Sequence, residues 1–199
     1  MEFYGGDNIP GWVLDGLNYD YTRMISRQTF AYGALFNLTG DPRLLDYHRL
    51  GVKFLLEHAR DPEGGFVTKF RNGKPVTEDR LHRTSQDQAY VLLGLSMNAY
   101  LTGNAEIIDI ICSGRKFIYD NYYDPKQNLI RWTLEDGDGE KADQQDLVAH
   151  LDQINSYLQL TWRLVPENMR QLWTDTINLT IDGMNSRFYS AKKIPLQAA

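Results

Sequence analysis

Cysteine is almost missing from this sequence. Cys112 is the only one, so neither a disulfide framework nor a thiolate zinc site can be built, which fits a reducing cytoplasm. Long hydrophobic runs are missing too. The most apolar stretch, residues 90–101, is too short and too interrupted to span a bilayer, so no membrane partner is expected. The opening Met1-Glu2-Phe3-Tyr4-Gly5-Gly6 has no basic segment leading into an apolar one and does not read as a signal peptide. Positive charge is scarce. Lys and Arg number 21 against 26 Asp and Glu, the net charge is −5, and no Lys/Arg-rich run interrupts this, so nucleic acid is not expected as a partner. No Gly-rich phosphate loop, P-loop or metal-ligand spacing is found, so no cofactor and no metal is expected. Apolar residues at 42% and charged residues at 24% describe an ordinary globular chain able to bury a core.

What the sequence does have is a repeat. Placing Thr39-Gly40 over Thr102-Gly103 sets Asp46 on Asp109, Gly51 on Gly114, Lys53-Phe54 on Lys116-Phe117 and Asp61-Pro62 on Asp124-Pro125. A fainter third copy follows with Val165-Pro166 at the turn and Leu172-Trp173 on the second helix, drifting by one residue. Each unit reads as helix, turn, helix, then a loop with strand character. In the first unit the inner helix covers about 21–38, with Met24, Phe30, Ala31, Leu35 and Leu38 at a helical period. Gly40 ends it, and Asp41-Pro42 supplies the next helix with an acidic cap and a proline at its first position. The second helix carries Leu44, Leu45, Tyr47, Val52, Phe54, Leu55 and Leu56 and stops by Asp61-Pro62. Alternation around Asn72-Gly73 predicts a hairpin, and its counterpart covers 128–133 and leads into Gly137-Asp138-Gly139. Units fall at about 20–80, 81–143 and 144–199 of one domain, 1–199. Helix hairpins stacked this way form an all-α toroid. A closed ring of six pairs at this period needs roughly 380 residues, so three pairs make about half of an (α/α)6 barrel. The uncovered flank of such a half-ring predicts self-association, most simply as a homodimer.

Chemistry in such a ring gathers where the inner helices start. Counting back twelve residues from each turn gives Arg27, Tyr90 and either Asp152 or Gln153, which should therefore face one cavity. The planar fork of Arg27 can hold a carbonyl or hydroxyl pair, or it can pair with a loop carboxylate. His150, on the same helix as Gln153, can serve as a general base or as a hydrogen-bonded residue at a helix start. His82, just ahead of the second inner helix, can reach the cavity mouth, whereas His48 and His58 on the outer helix carry no assigned role. Asp87 and Asp152 are carboxylates on neighbouring inner helices, suited to glycosidic cleavage or simply favoured at helix starts. Tyr21, Tyr90, Trp132 and Tyr157 can stack on sugar rings or fill core.

The segment Ser26-Arg27-Gln28-Thr29-Phe30 resembles the Arg-Gln-hydrophobic-aromatic segment of the N-acylglucosamine 2-epimerase family. Phe66-Val67-Thr68 through Gly73-Lys74-Pro75-Val76, then Gln88-Ala89-Tyr90 and on to Thr102-Gly103, is similar to that family's next repeat in order and spacing. Asp61-Pro62-Glu63-Gly64-Gly65-Phe66 looks like its recurrent loop. The resemblance implies an (α/α)6 barrel that moves a proton next to the carbonyl of a ring-opened sugar, with histidines as acid and base. It implies that Arg27 contacts substrate near that carbonyl. The two proton-transferring histidines belong to the fourth and sixth helix pairs and would fall beyond Ala199, so the chain alone is expected to be an incomplete, inactive part. Arg27 and His150 are then the candidate catalytic residues, and Gln88, Tyr90, Asp152 and Gln153 the candidate substrate-binding ones, for a small-molecule sugar. Two alternatives stand beside this: a glycoside or unsaturated-uronide hydrolase using Asp87 and Asp152, and a non-catalytic sugar-binding or scaffold protein.

Overall fold

A computed structural model describes residues 19–77, 83–134 and 146–189. Three helix pairs follow one another. The first is α1 (Thr22–Thr39) with α2 (Pro42–Glu57), and the second is α3 (Ser85–Thr102) with α4 (Ala105–Asn121). In the third, α5 (Leu147–Gln153) runs through a π-helical turn (Ile154–Leu158) into α6 (Gln159–Thr161), and α7 (Glu167–Arg187) returns outside it. Short strands fill the loops. β1 (Asp20–Tyr21), β2 (Lys69–Arg71) and β3 (Lys74–Pro75) form one antiparallel sheet, and β4 (Tyr123–Asp124) pairs with β5 (Leu129–Ile130). Among the described residues no helix is long and apolar enough to cross a membrane.

The sequence repeat reappears bond for bond. Gly40 and Gly103 close α1 and α3 in the left-handed region, at φ 71° and 63°, which glycine adopts without steric cost. Asp41 then caps α2 by accepting from the Arg43 N–H, and Asn104 caps α4 by accepting from that of Glu106. Asn72 and Gly73, at φ 52° and 71°, form the tight turn between β2 and β3 that their pairing predicts. The Gly137-Asp138-Gly139 segment lies outside the described residues. Gly51 and Gly114, alike in the repeat, mark where outer helices press on inner ones. A Cβ at Gly51 would collide with Thr29, and one at Gly114 would come within 2.7 Å of Leu92. The core between the layers holds Leu92, Leu95, Ile111, Ile118, Tyr122, Tyr157 and Trp173, all fully buried.

One expectation fails in an informative way. The face of α1 carrying Met24, Ala31, Leu35 and Leu38 is exposed, and Leu38 is 79% accessible. The buried residues are Thr22, Ile25, Ser26, Thr29 and Gly33. Helix α1 meets α3 through small and hydroxyl side chains instead. The Ser26 hydroxyl bonds the Tyr90 carbonyl and accepts from the Gly94 N–H at 2.9 Å, so the two backbones approach too closely for leucines. The outer helix also ends at Glu57, short of Asp61-Pro62, because the backbone at Ala59 and Arg60 turns to pair with Val67 and Phe66.

Candidate functional site

Three inner helices border one hollow. Towards the helix C-termini, Phe30 of α1, Ser96, Met97 and Tyr100 of α3 and Leu160 of α6 line a cavity of about 210 Å3. Towards the helix N-termini the lining becomes polar. Arg27 Nη2 donates to the Tyr90 hydroxyl at 2.6 Å, and its guanidinium carbon lies 4.2 Å from the Tyr90 ring centroid. Tyr90 in turn hydrogen-bonds Asp152, and Gln86 Nε2 donates to Asp152 Oδ2 at 2.9 Å. Arg27, Tyr90, Asp152 and Gln86 thus form one hydrogen-bonded row across α1, α3 and α5. Burial pushes the Asp152 carboxyl above its ordinary range, and the Gln86 and Tyr90 hydrogen bonds and the Arg27 charge pull it back. Arg27 itself is exposed and has no carboxylate within ion-pairing distance among the described residues. Gln86 was not among the residues singled out from sequence. Its signal was its place one turn before Tyr90, on the same helix face.

The choice between Asp152 and Gln153 is made by the π-helical turn. Such a turn takes one more residue than an α-helical one, so counting back twelve residues from Val165 stops one residue short. Asp152 stands at the level of Arg27 and Tyr90, whereas Gln153 is fully buried and its Nε2 donates to the Ala149 carbonyl at 3.2 Å. Gln153 is therefore corrected from a cavity residue to a core one.

Two further expectations are corrected by the bonds these side chains make. His150 is 1% exposed, its Nδ1 is 2.9 Å from the Asp146 carbonyl, and its Nε2 accepts from the Ile130 N–H at 2.9 Å. Both ring nitrogens are used, and burial pushes its pKa below the ordinary 6.5. It is a neutral strut between α5 and β5, with no lone pair free to act as a base. Gln88 is spent likewise. Its Oε1 accepts from the Phe66 N–H at 2.8 Å and its Nε2 donates to the Phe66 carbonyl at 2.7 Å, which pins the loop ahead of β2 to α3. His82 lies outside the described residues. Among the described residues no histidine borders the hollow. His48 is fully buried, with Nδ1 on the Thr29 carbonyl and Nε2 on Asn98, and His58 caps the far end of α2.

Asp87, the other half of the proposed carboxylate pair, is fully buried. It accepts from the Thr84 hydroxyl at 2.5 Å, faces Arg23 Nη1 at 3.4 Å and takes a further bond from Thr68. Burial pushes its pKa up against those three partners. Its oxygens point into structure, so glycosidic chemistry through Asp87 lacks access to a substrate. Asp87→Asn should keep the fold, with a melting temperature within about 4 °C of the parent. A loss of more than about 3 kcal/mol in urea unfolding would show instead that the charge is needed by Arg23. Trp132 is half-buried and Tyr157 fully buried, the latter a core residue. No group of three or more His, Cys, Asp or Glu that could hold a metal occurs among the described residues. A cavity of about 380 Å3 between Arg60, Asp61, Phe66 and α4 residues such as Asp109 and Phe117 shares none of the polar row.

Solved structures share this architecture. A cellobiose 2-epimerase from Bacillus thermoamylovorans superposes with a TM-score of 0.73 at 16% identity, covering 87% of this chain and 46% of its own. A D-mannose isomerase superposes at 0.70 and 14% identity, covering 84% and 42% respectively. An unsaturated glucuronyl hydrolase from a Bacillus species does so at 0.69 and 14% identity, covering 94% and 50%. The chain therefore has the fold of the (α/α) toroids and spans about half the length of these structures. Curated proteins give no match. The family described as N-acylglucosamine 2-epimerase (GlcNAc 2-epimerase) matches residues 15–184, and the chain belongs to it.

Proposed function

We propose that this chain forms one wall of a sugar 2-epimerase or aldose–ketose isomerase site, with Arg27 at the carbonyl of a ring-opened aldose. The observation that carries this reading is the hydrogen-bonded row Arg27–Tyr90–Asp152–Gln86 at the starts of three inner helices, in a member of the epimerase family. Removing the proton at C2 places negative charge on the carbonyl oxygen. A guanidinium already held in place by Tyr90 stabilises that charge without reorganising, which is where electrostatic catalysis gains most. The proton then returns to C2 on the opposite face, giving the epimer, or to C1 while the O2 hydroxyl proton passes to O1, giving the ketose. Asp152 and Gln86 hold sugar hydroxyls, and a base facing Arg27 across the hollow takes the proton. His150 takes no part in this scheme.

Incubation of the full-length gene product, with whatever base faces Arg27, in D2O with mannose, N-acetylmannosamine and cellobiose tests it. Deuterium should enter C2 of at least one sugar, detected by mass spectrometry and NMR. Arg27→Lys should slow that exchange at least about tenfold, because an ammonium cannot reproduce the fork that bridges Tyr90 and a carbonyl. Binding without exchange for all three sugars would sink the proton-transfer step, and failure to bind any of them would sink the sugar site as well.

A further inference from the structure

The polar row has a second guanidinium at its head. Arg23, Arg27, Phe30 and Asn37 fall on one stripe of α1, and Phe30 and Asn37 line the cavity between the inner helices. Moved by one repeat, from Thr39 to Thr102, Arg23 falls on Gln86 and Arg27 on Tyr90, the two α3 residues that reach Asp152. Arg23 therefore faces the hollow one turn nearer the helix N-terminus than Arg27, about 6 Å along the axis. Its guanidinium lies over the Tyr21 ring, 4.4 Å from the centroid, and Nη1 is 3.4 Å from Asp87 Oδ1. A guanidinium that serves only as a counter-ion closes to about 2.7–2.9 Å. Asp87 is better served by the Thr84 hydroxyl at 2.5 Å. The rest of the Arg23 fork makes no hydrogen bond among the described residues, and the side chain is 30% exposed.

Cations continue from Arg23 over the first sheet. Directly opposed residues share a face, so Tyr21 and Lys69 lie on one side of β1 and β2, together with Arg71 and its partner Lys74. Phe70, between Lys69 and Arg71, is fully buried on the other side. Lys69 Nζ and the Arg71 guanidinium lie 4.7 and 4.5 Å from the centroid of the Tyr19 ring, as Arg23 lies over Tyr21. Arg27, Arg23, Lys69, Arg71 and Lys74 thus form one basic strip on a chain whose net charge is −5. Two carboxyls that face it, Asp87 and Asp152, are both pushed by burial towards the neutral form.

We infer that Arg23 holds an anionic group at the far end of the sugar whose carbonyl meets Arg27, so that the substrate is an acidic sugar, a sugar phosphate or a sugar acid, rather than a neutral one. This rests on the sugar reading proposed above and adds its substrate class. The planar fork of Arg23 matches two oxygens of a phosphate or a carboxylate. Its separation from Arg27 is comparable with the reach of an open-chain hexose from its carbonyl to its last carbon. A 6-phosphate or a C6 carboxylate therefore arrives at Arg23 when C1 is at Arg27. The same two positions of α3 carry the neutral Gln86 and Tyr90, so the charge is confined to α1 and gives the bound sugar one orientation. Lys69 and Arg71 add attraction at longer range, drawing an anion towards the hollow.

Calorimetric titration of the full-length gene product with mannose, mannose 6-phosphate, glucuronate and inorganic phosphate tests it. Mannose 6-phosphate or glucuronate should bind at least about tenfold more tightly than mannose, the gain that one charge-assisted contact supplies. Whichever of the two binds more tightly tells phosphate from carboxylate. The gain should shrink as salt rises from about 50 to 500 mM, a check that needs no variant. Arg23→Gln, which installs the residue of the second unit, should bring the acidic sugar down to the level of mannose. Arg23→Lys keeps a charge beside Asp87 should Arg23→Gln not fold, and it should lose part of the gain with the fork. Acidic sugars bound no better than mannose overturn the inference and leave the sugar site standing, whereas binding of none of the sugars removes both. Inorganic phosphate bound as tightly as mannose 6-phosphate overturns it too, because the anion site then takes no part in holding a sugar. A gain that survives Arg23→Gln overturns the assignment to Arg23.

Discussion

Replacing Trp173 by alanine is expected to cost about 3–5 kcal/mol of folding stability, the range seen when a buried aromatic is removed and its site cannot collapse. Trp173 is fully buried on α7, and its Nε1–H donates to the Thr161 hydroxyl at 3.0 Å. That hydroxyl in turn donates to the Tyr157 carbonyl at 2.7 Å, inside the π-helical turn. The indole therefore fills the gap between the layers and also satisfies a polar group on the irregular inner helix. Its repeat position explains why the site cannot close up. Ile111 of α4 and His48 of α2 occupy the same position in their units, and both are fully buried. Each outer helix drives one wedge inward at that level. The third wedge is the largest, and the helix it meets is the one the π turn distorts. Urea unfolding should show a lower midpoint with an unchanged slope. Trp173→Phe should recover more than half of the loss. A cost below about 1 kcal/mol for Trp173→Ala would mean that α7 is not docked as described.

The parts of the fold that were legible from sequence are those where chemistry is local. Gly40 and Gly103 announce a left-handed helix end because other residues resist that backbone, and Asn72-Gly73 announces its turn for the same reason. The repeat register was legible because the turns are fixed points, and it is why Arg27 and Tyr90, found by counting, lie in contact. What was not legible depends on neighbours distant in sequence. Periodicity marked Met24, Phe30, Ala31, Leu35 and Leu38 as the apolar positions of α1, and of these Met24, Ala31, Leu35 and Leu38 are exposed. The helix instead faces its neighbour through Ser26, Thr29 and Gly33, whose hydroxyls and small size suit a close backbone approach that hydrophobicity does not measure. The π-helical turn has no residue signature, so its one-residue shift appeared only as a drift in the third repeat. Asp152 rather than Gln153 on the cavity wall follows from that turn alone. His150 looked reactive, and Gln88 able to bind substrate, because of what they are. Their partners, Ile130 and Phe66, are backbone groups that no side-chain motif reports.

Acid should destabilise the protein below about pH 6.5 more steeply than its carboxylates alone account for, through His48 and His150. Both rings are neutral wedges, each with Nδ1 on a carbonyl and Nε2 acting as an acceptor, from Asn98 in one case and the Ile130 N–H in the other. Protonating Nε2 turns that acceptor into a donor facing a donor. Burial is the first cause of the lowered pKa of each ring. Against it stand the Thr29 carbonyl for His48, and the Asp146 carbonyl and charge for His150, while Arg49 lowers His48 further. In the unfolded chain both rings titrate near 6.5. The folded pKa values lie below that, so the unfolded state binds more protons throughout the interval between them. The stability these rings contribute is complete above about pH 6.5 and is lost as pH falls towards the folded values. The slope reaches at most about 1.4 kcal/mol per pH unit for each ring. Asp87 acts in the opposite sense, because its raised pKa makes the buried carboxyl less costly as acid neutralises it, so the net slope is shallower than the two rings would give together. Urea midpoints measured from pH 8 to pH 5 should fall through this window, and His150→Gln should flatten the fall while costing stability at pH 8. Chemical-shift titration gives the sharper check, with both imidazoles Nδ1-protonated in the neutral form and titrating below the ordinary 6.5. A His150 that titrates at or above 6.5 in the folded protein would return it to the candidates for a general base and undo its reading as a strut.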